Sequence, residues 1–168
     1  MSNYDEVVLP QPDEIDIRQR EDAMGAYLMM FAAWGAGLPL PFLSLIASGI
    51  YYSINKKKSK FVRFHAFQSL LSQVPVSILN AGAIIWVAAI LLQRRMFRDW
   101  EHFVTYVIFV GLMNLVYLIF SIIGAVKARR GEFYYFIFFG KIAFDAFYGA
   151  GAEEDREEVK HNVPPKGY

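Results

Sequence analysis

Polar side chains recur along one stretch of the sequence that is otherwise apolar. Six of them, referred to here as the polar stripe, are His65, Ser69, Ser72, Gln73, Ser77 and Asn80. At the 100° per residue of an α-helix, these positions fall within about 140° of one face. In a membrane they must meet protein or water, because an unpaired amide in hydrocarbon costs roughly 2–7 kcal/mol. The polar stripe therefore indicates either hydrogen bonding between packed helices or the wall of a hydrophilic path.

A second apolar stretch carries a shorter polar pattern that could face the first. Asn114, Tyr117 and Ser121 lie near one another on a helix, and Asn114 is predicted to pair with Asn80. Two partial patterns are enough to lock helices together. A watery path between so few helices would instead require an oligomer or a further subunit.

The sequence offers little for catalysis. Its three histidines, His65, His102 and His161, stand far apart, and it contains no cysteine. It has no His/Glu pair at metal-ligand spacing, no glycine-rich phosphate loop and no carboxylate inside an apolar stretch. We therefore expect neither an enzyme nor a cofactor or metal site.

Three long stretches without Asp, Glu, Lys or Arg must supply the helices that position these residues: 23–55, 66–93 and 103–126. Each exceeds the roughly 20 residues that a helix needs to cross a bilayer. With 55% hydrophobic and 20% charged residues, the composition predicts an all-α, polytopic membrane bundle. Its expected partners are the lipid bilayer and other membrane proteins or further copies of itself. The net charge of +1 gives no reason to expect nucleic acid.

Prolines divide these stretches. Pro39 and Pro41 lie two residues apart in the first one and cannot both belong to an unbroken helix. This stretch is either one kinked span or two short helices in a hairpin, and the hairpin, which gives four helices in all, is favoured. Pro75 lies within the polar stripe and predicts a kink there, so all three prolines are candidate hinges.

The connection after the first stretch is strongly basic. It contains Lys56, Lys57, Lys58, Lys60 and Arg63 and no acidic residue. The positive-inside preference places it in the cytoplasm, and we expect a bacterial inner membrane. About 1 kcal/mol of attraction per cation should hold this loop flat against anionic headgroups.

The flanks of the membrane domain, predicted as 23–148, differ in composition. Residues 1–22 form an acidic arm, and residues 149–168 are predicted to be a disordered acidic tail. The aromatic segment 132–147 is too short to cross and is predicted to be an interfacial helix. Ile142, Phe144, Phe147 and Tyr148 are expected to face lipid.

The run from Lys58 to Leu71 contains a distinctive motif. It reads Phe-x-x-x-His-Ala-x-Gln-Ser-Leu and begins at Phe61. Together with the Pro-broken first stretch and the basic run before Gly131, it resembles small bacterial membrane proteins related to the Tic inner-envelope channel subunit of the chloroplast import translocon. The resemblance covers about residues 22–145. It implies four helices with both termini on one side, a protein-conducting role in the plastid relatives, and importance for His65 and Gln68.

Two functions are compatible with these patterns. The favoured one is a non-enzymatic accessory or scaffold subunit of a larger membrane complex, with protein translocation as a candidate process. The alternative is an oligomeric pore or carrier that uses the polar stripe of the 66–93 helix. His65 and Gln68 either bond a neighbouring helix or present a polar patch to a partner.

Overall fold

The computed structural model describes residues 9–31, 42–93 and 100–149, and the regular structure within these ranges is entirely helical. Five α-helices follow in order: α1 (Ile17–Leu28), α2 (Leu43–Asn55), α3 (Lys60–Gln93), α4 (Trp100–Arg129) and α5 (Phe139–Tyr148). Short 3₁₀ turns, Pro12–Glu14 and Met29–Phe31, precede and follow α1. The predicted all-α class is confirmed.

In the described ranges, two helices are long and apolar enough to cross a membrane. The candidate spans are Lys60–Leu92 in α3 and Trp100–Arg129, which is the whole of α4, with mean hydropathies of 2.1 and 2.4. The helices α3 and α4 contain 34 and 30 residues, which correspond to about 51 and 45 Å of helix. Only 6% and 22% of their most apolar windows are buried within the protein, so most of that surface faces outward. The helix α3 continues through Pro75, which makes this proline a bend at most.

The first apolar stretch is divided between α1 and α2, and neither helix reaches the length of a bilayer span. Two hydrogen bonds connect α2 to α1 and to the 3₁₀ turn that follows α1. The Tyr51 hydroxyl donates to the carbonyl of Asp22, and the Ser44 hydroxyl donates to the carbonyl of Met30. Residues 32–41 lie outside the described ranges. The hinge at Pro39 and Pro41, the hairpin and the count of four helices therefore stay predictions.

An apolar core lies at the end of α3 that carries the basic loop. Tyr27, Phe61, Ala128 and Phe136 pack together there with Ile15, which is only 2% exposed. The helix α1 begins at Ile17, so the chain already folds onto the bundle within the segment predicted as an acidic arm.

The aromatic segment after α4 departs from the prediction. Gly131, at φ 77°, ends α4, and the Glu132 and Gly131 amides donate to the carbonyls of Lys127 and Ala128 in a Schellman motif. Residues 132–138 are not helical, and helix resumes only at Phe139. The expectation that Phe147 and Tyr148 face lipid is wrong, because they are 5% and 9% exposed and pack around Phe64. Ile142 is exposed as expected.

The absence of native cysteine makes the crossings of α3 and α4 directly testable. Single cysteines at Ser59 and Glu132, which flank the two helices, should be labelled by an impermeant reagent from the basic side of the membrane. A cysteine at Arg98, between the helices, should be labelled from the other side. A cysteine at Ser2 is expected on the basic side, and its labelling from the opposite side would show that residues 23–55 cross only once.

Candidate functional site

Most of the polar stripe of α3 is buried within the chain. Five of its six side chains, those of His65, Ser69, Ser72, Gln73 and Ser77, are between 0% and 5% exposed, as is the motif residue Gln68, whereas Asn80 is half-buried. Their partners lie on different elements, so α3 acts as the common neighbour of α1, α2, α4 and the segment that follows α4. Buried polar side chains with partners on neighbouring helices are typical of contacts that hold helices together.

Tyr27 of α1 links the two residues of the sequence motif. Its hydroxyl lies 2.8 Å from Nδ1 of His65 and accepts a hydrogen bond of 2.8 Å from Nε2 of Gln68. With Gln68 donating to this oxygen, the tyrosine can donate its own proton to Nδ1 in the tautomer of His65 that carries its proton on Nε2. We refer to these three residues as the Tyr27 network.

Gln68 also binds the backbone of the segment after α4. Its Nε2 donates to the carbonyl of Tyr134 at 2.9 Å, and its Oε1 accepts from the amide of Phe136 at 3.3 Å. Non-helical backbone buried in a membrane protein needs such partners, because no ladder or helix satisfies it. The side chain of Gln68 therefore supplies the hydrogen bonds that a neighbouring strand would otherwise make. These bonds hold the segment against α3.

Aromatic rings surround His65 and exclude water from it. Ring centroids of Phe61, Phe64 and Phe133 lie 4.5, 5.0 and 6.0 Å from that of the imidazole. His65 and Gln68 are both 0% exposed, so neither side chain lies at the surface of the chain. Of the two roles left open by the sequence, the geometry favours packing.

Two further stripe residues attach the short helices. The Ser69 hydroxyl donates to the carbonyl of Ala26 in α1 at 2.8 Å, and Nε2 of Gln73 donates to the hydroxyl of Ser48 in α2. Small side chains at these contacts allow close approach of the helices. The polar stripe thus determines where both α1 and α2 sit along α3.

Asn80 and Asn114 form a reciprocal pair between α3 and α4, as the sequence predicted. Each Nδ2 donates to the other residue's Oδ1 at 3.0 Å. Each also donates to a carbonyl one turn earlier in its own helix, Val76 at 2.9 Å and Val110 at 2.8 Å. Both hydrogens of each amide are therefore used, which suits a half-buried site within hydrocarbon.

Some buried polar atoms find no partner in the part of the chain that the structure describes. They include Nε2 of His65, Oε1 of Gln73 and the hydroxyls of Tyr117 and Ser121. Among the same residues, no group of three His, Cys, Asp or Glu side chains could hold a metal ion. Within these ranges the network consists of hydrogen bonds among His, Gln, Ser, Tyr and Asn side chains and the backbone.

The basic loop is partly anchored to the fold. Lys58 forms an ion pair of 2.6 Å with Asp22 at the start of the apolar part of α1. Lys56 lies over the ring of Tyr52, at 5.8 Å from the centroid, and the guanidinium of Arg63 lies over Phe147 at 4.7 Å. These cation–π contacts leave a rigid cationic surface at the end of the bundle.

Sequence reasoning missed two members of the site. Tyr27 was not recognised, although it stands among the small residues Ala23, Gly25 and Ala26, a composition typical of a close helix interface. The backbone at Tyr134 and Phe136 was missed because the segment was taken to be helical. No local signal could have paired it with Gln68, which lies 66 and 68 residues away.

Comparison with known proteins identifies the family. Residues 21–143 match the magnetosome magnetite crystal formation protein family, MamF/MmsF. The chain belongs to this family. It is also 30% identical over 109 residues to a UPF0132 membrane protein of Methanocaldococcus jannaschii. That alignment covers 62% of this chain and 63% of the relative, so it spans less than two thirds of the relative's length. No solved structure matches the chain.

Membership in MamF/MmsF corrects the resemblance drawn from the sequence. The relation to the Tic channel subunit is wrong, because the matching family is the magnetosome one. The His-Ala-x-Gln run misled because its residues serve helix packing, which unrelated functions can share. The membrane location and the transmembrane helices are confirmed by the family and by α3 and α4.

The Tyr27 network predicts a specific loss of stability. Tyr27→Phe removes the hydroxyl that joins His65 to Gln68 and leaves Nδ1 and one amide hydrogen unpaired. We expect the free energy of unfolding in detergent to fall by about 1–3 kcal/mol. Tyr135→Phe is the control, since this ring is 46% exposed, and its effect should stay within about 0.5 kcal/mol. Equal effects of the two substitutions would show that the network does not stabilise the fold.

The asparagine pair predicts that the losses of unfolding free energy in its two single variants do not add up in the double variant. Asn80→Leu or Asn114→Leu alone should lower the unfolding free energy by about 1 kcal/mol, because the remaining amide loses its partner within the bundle. The double substitution should cost less than the sum of the two, since neither amide is then left unpaired. Thermal unfolding of the three variants in one detergent measures this. Strictly additive losses would argue against direct pairing.

Proposed function

We propose that the protein is a non-enzymatic component of a membrane at which magnetite crystals form, and that it acts through its contacts with the bilayer and neighbouring membrane proteins. The match of residues 21–143 to the magnetosome magnetite crystal formation family supports the link to crystal formation. The name of the archaeal relative says only that it is a membrane protein.

The non-enzymatic part of the proposal rests on the use made of the polar residues. His65, Gln68 and Asn80 are the side chains best suited to chemistry in the described spans, and all three are engaged in hydrogen bonds within the chain. Catalysis needs such groups to reach a substrate. Here aromatic rings or neighbouring helices occupy that space.

The same contacts support packing over conduction. A pore needs polar groups that face a continuous aqueous path, whereas the polar stripe ends at the basic side in the enclosed Tyr27 network. A pore or carrier formed by several copies is the second candidate. The observation that favours it is the set of unpartnered buried atoms on Gln73, Tyr117 and Ser121, which lie where α3 meets its neighbours.

We further propose that α1 and α2 form an antiparallel pair that starts and ends at the basic, cytoplasmic face of an inner membrane. The contacts from Tyr51 to Asp22 and from Ser44 to Met30 support this arrangement, as does the ion pair between Lys58 and Asp22. An accessory or scaffold role fits the outward-facing surface of α3 and α4, which offers room for other membrane helices.

Crystal growth at reconstituted membranes tests the proposal. Iron oxide is co-precipitated from mixed ferrous and ferric salts in the presence of liposomes that contain the wild-type chain, liposomes that contain an unrelated bundle of similar size, or empty liposomes. The wild-type liposomes should shift the crystal size distribution seen by electron microscopy without conducting solutes. The matched variant is Asn80→Leu with Asn114→Leu, which alters the contact between α3 and α4 while both helices remain apolar.

Two results would contradict the proposal. Crystals that are identical in all three preparations would remove the link to crystal formation. Solute flux through wild-type liposomes that the double variant abolishes would favour the pore, because the paired asparagines would then line a path.

A further inference from the structure

A groove of about 510 Å³ runs between α1 and α4. Its walls are apolar, with Met24 and Leu28 on one side and Ile122 and Val126 on the other. Tyr27 also lines it, so the groove lies directly over the Tyr27 network. The volume is in the range of sites that bind small apolar molecules.

The length of the groove matches one leaflet of a bilayer. Along α4 it extends from Ser121 to Arg130, which is about 14 Å of helix. Half of a hydrocarbon core about 30 Å thick is about 15 Å. The groove is therefore as long as an acyl chain that enters from the membrane surface and ends at the bilayer centre.

The mouth of the groove is positively charged. Arg129 and Arg130 line it. Arg129 forms an ion pair with Glu21, with 3.1 Å between Nη1 and Oε1. Lys127 hydrogen bonds to Glu132, which lowers the pKa of that carboxyl and keeps it ionised. In the described ranges no ion pair engages Arg130, so its guanidinium is available to a single phosphodiester at the mouth of the groove.

We propose that this groove binds one anionic phospholipid, with an acyl chain between α1 and α4 and its phosphate against Arg130. The apolar walls, the leaflet length and the cationic mouth coincide in one place, and a bilayer supplies such lipids at the required depth. A phosphate near Arg130 forms a charge-assisted hydrogen bond with the guanidinium. The lipid then joins the first helix to the end of α4.

Lipid titration of the purified protein tests the site. Phosphatidylglycerol and phosphatidylcholine with the same acyl chains are added to wild-type protein in detergent, and inorganic phosphate is added in a third series. Native mass spectrometry counts bound lipid, and thermal unfolding reports stabilisation. We expect one phosphatidylglycerol to bind about tenfold more tightly than phosphatidylcholine, while inorganic phosphate should not stabilise the protein.

Four variants test separately where the lipid headgroup and the acyl chain bind. Arg130→Gln should remove the preference for phosphatidylglycerol, whereas Lys57→Gln, which removes one charge from the basic loop outside the groove, should keep it. Val126→Phe places a ring in the groove and should abolish tight binding of both lipids. Ile123→Phe makes a similar change about 4.5 Å farther from the mouth along α4, on a face that does not line the groove, and should bind like wild type.

Three results would contradict the proposal. Equal binding of both lipids to the wild type would show only unspecific lipid around the bundle. Stabilisation by inorganic phosphate to the same extent would show a headgroup site without an acyl chain. Unchanged binding in Arg130→Gln and Val126→Phe would place the lipid elsewhere on the protein.

Discussion

Backbone that is neither helix nor strand needs hydrogen-bond partners when it is buried in a membrane protein, and this requirement governs the basic end of the fold. The chain leaves α4 at Gly131 and runs without helical bonds to Phe139. The amide of Gln68 supplies both a donor and an acceptor to that backbone, and its remaining donor bond goes to Tyr27. One side chain thus holds α1, α3 and the returning segment together, and the aromatic core closes over it.

Most of the polar contacts converge on α3. This explains why the His-Ala-x-Gln motif in that helix is distinctive but indicates little about function. His65 and Gln68 each require a partner from a different part of the chain, so their identities are constrained by the fold. In this chain both residues serve packing, so the motif by itself does not indicate a function.

The sequence predicted those features that depend on local composition. Stretches without charge located α3 and α4, and the helical period placed Asn80 and Asn114 where they could meet. It did not predict the burial of Phe147 and Tyr148, because an aromatic residue suits both lipid and a protein core. It also missed Tyr27 and the non-helical run after Gly131, since these depend on contacts between residues far apart in the chain. The incorrect family arose in the same way, from residues whose types reflect packing.

The helix α3 contacts different helices at different points along its length. The stripe contacts of α1 and α2 with α3 lie at Ser69 and Gln73. Farther along α3, contacts to α4 take over, through the asparagine pair, the bond from the Tyr106 hydroxyl to the carbonyl of Leu79, and the packing of Trp86 on Phe103. Ile85, beside Trp86, is 69% exposed, and Leu91 and Leu92, beyond these contacts, are 70% and 85% exposed. Side chains of this kind are stable only against lipid or other apolar helices. The basic end of the bundle therefore provides its own packing, and the opposite end is where neighbouring molecules in the membrane must complete it.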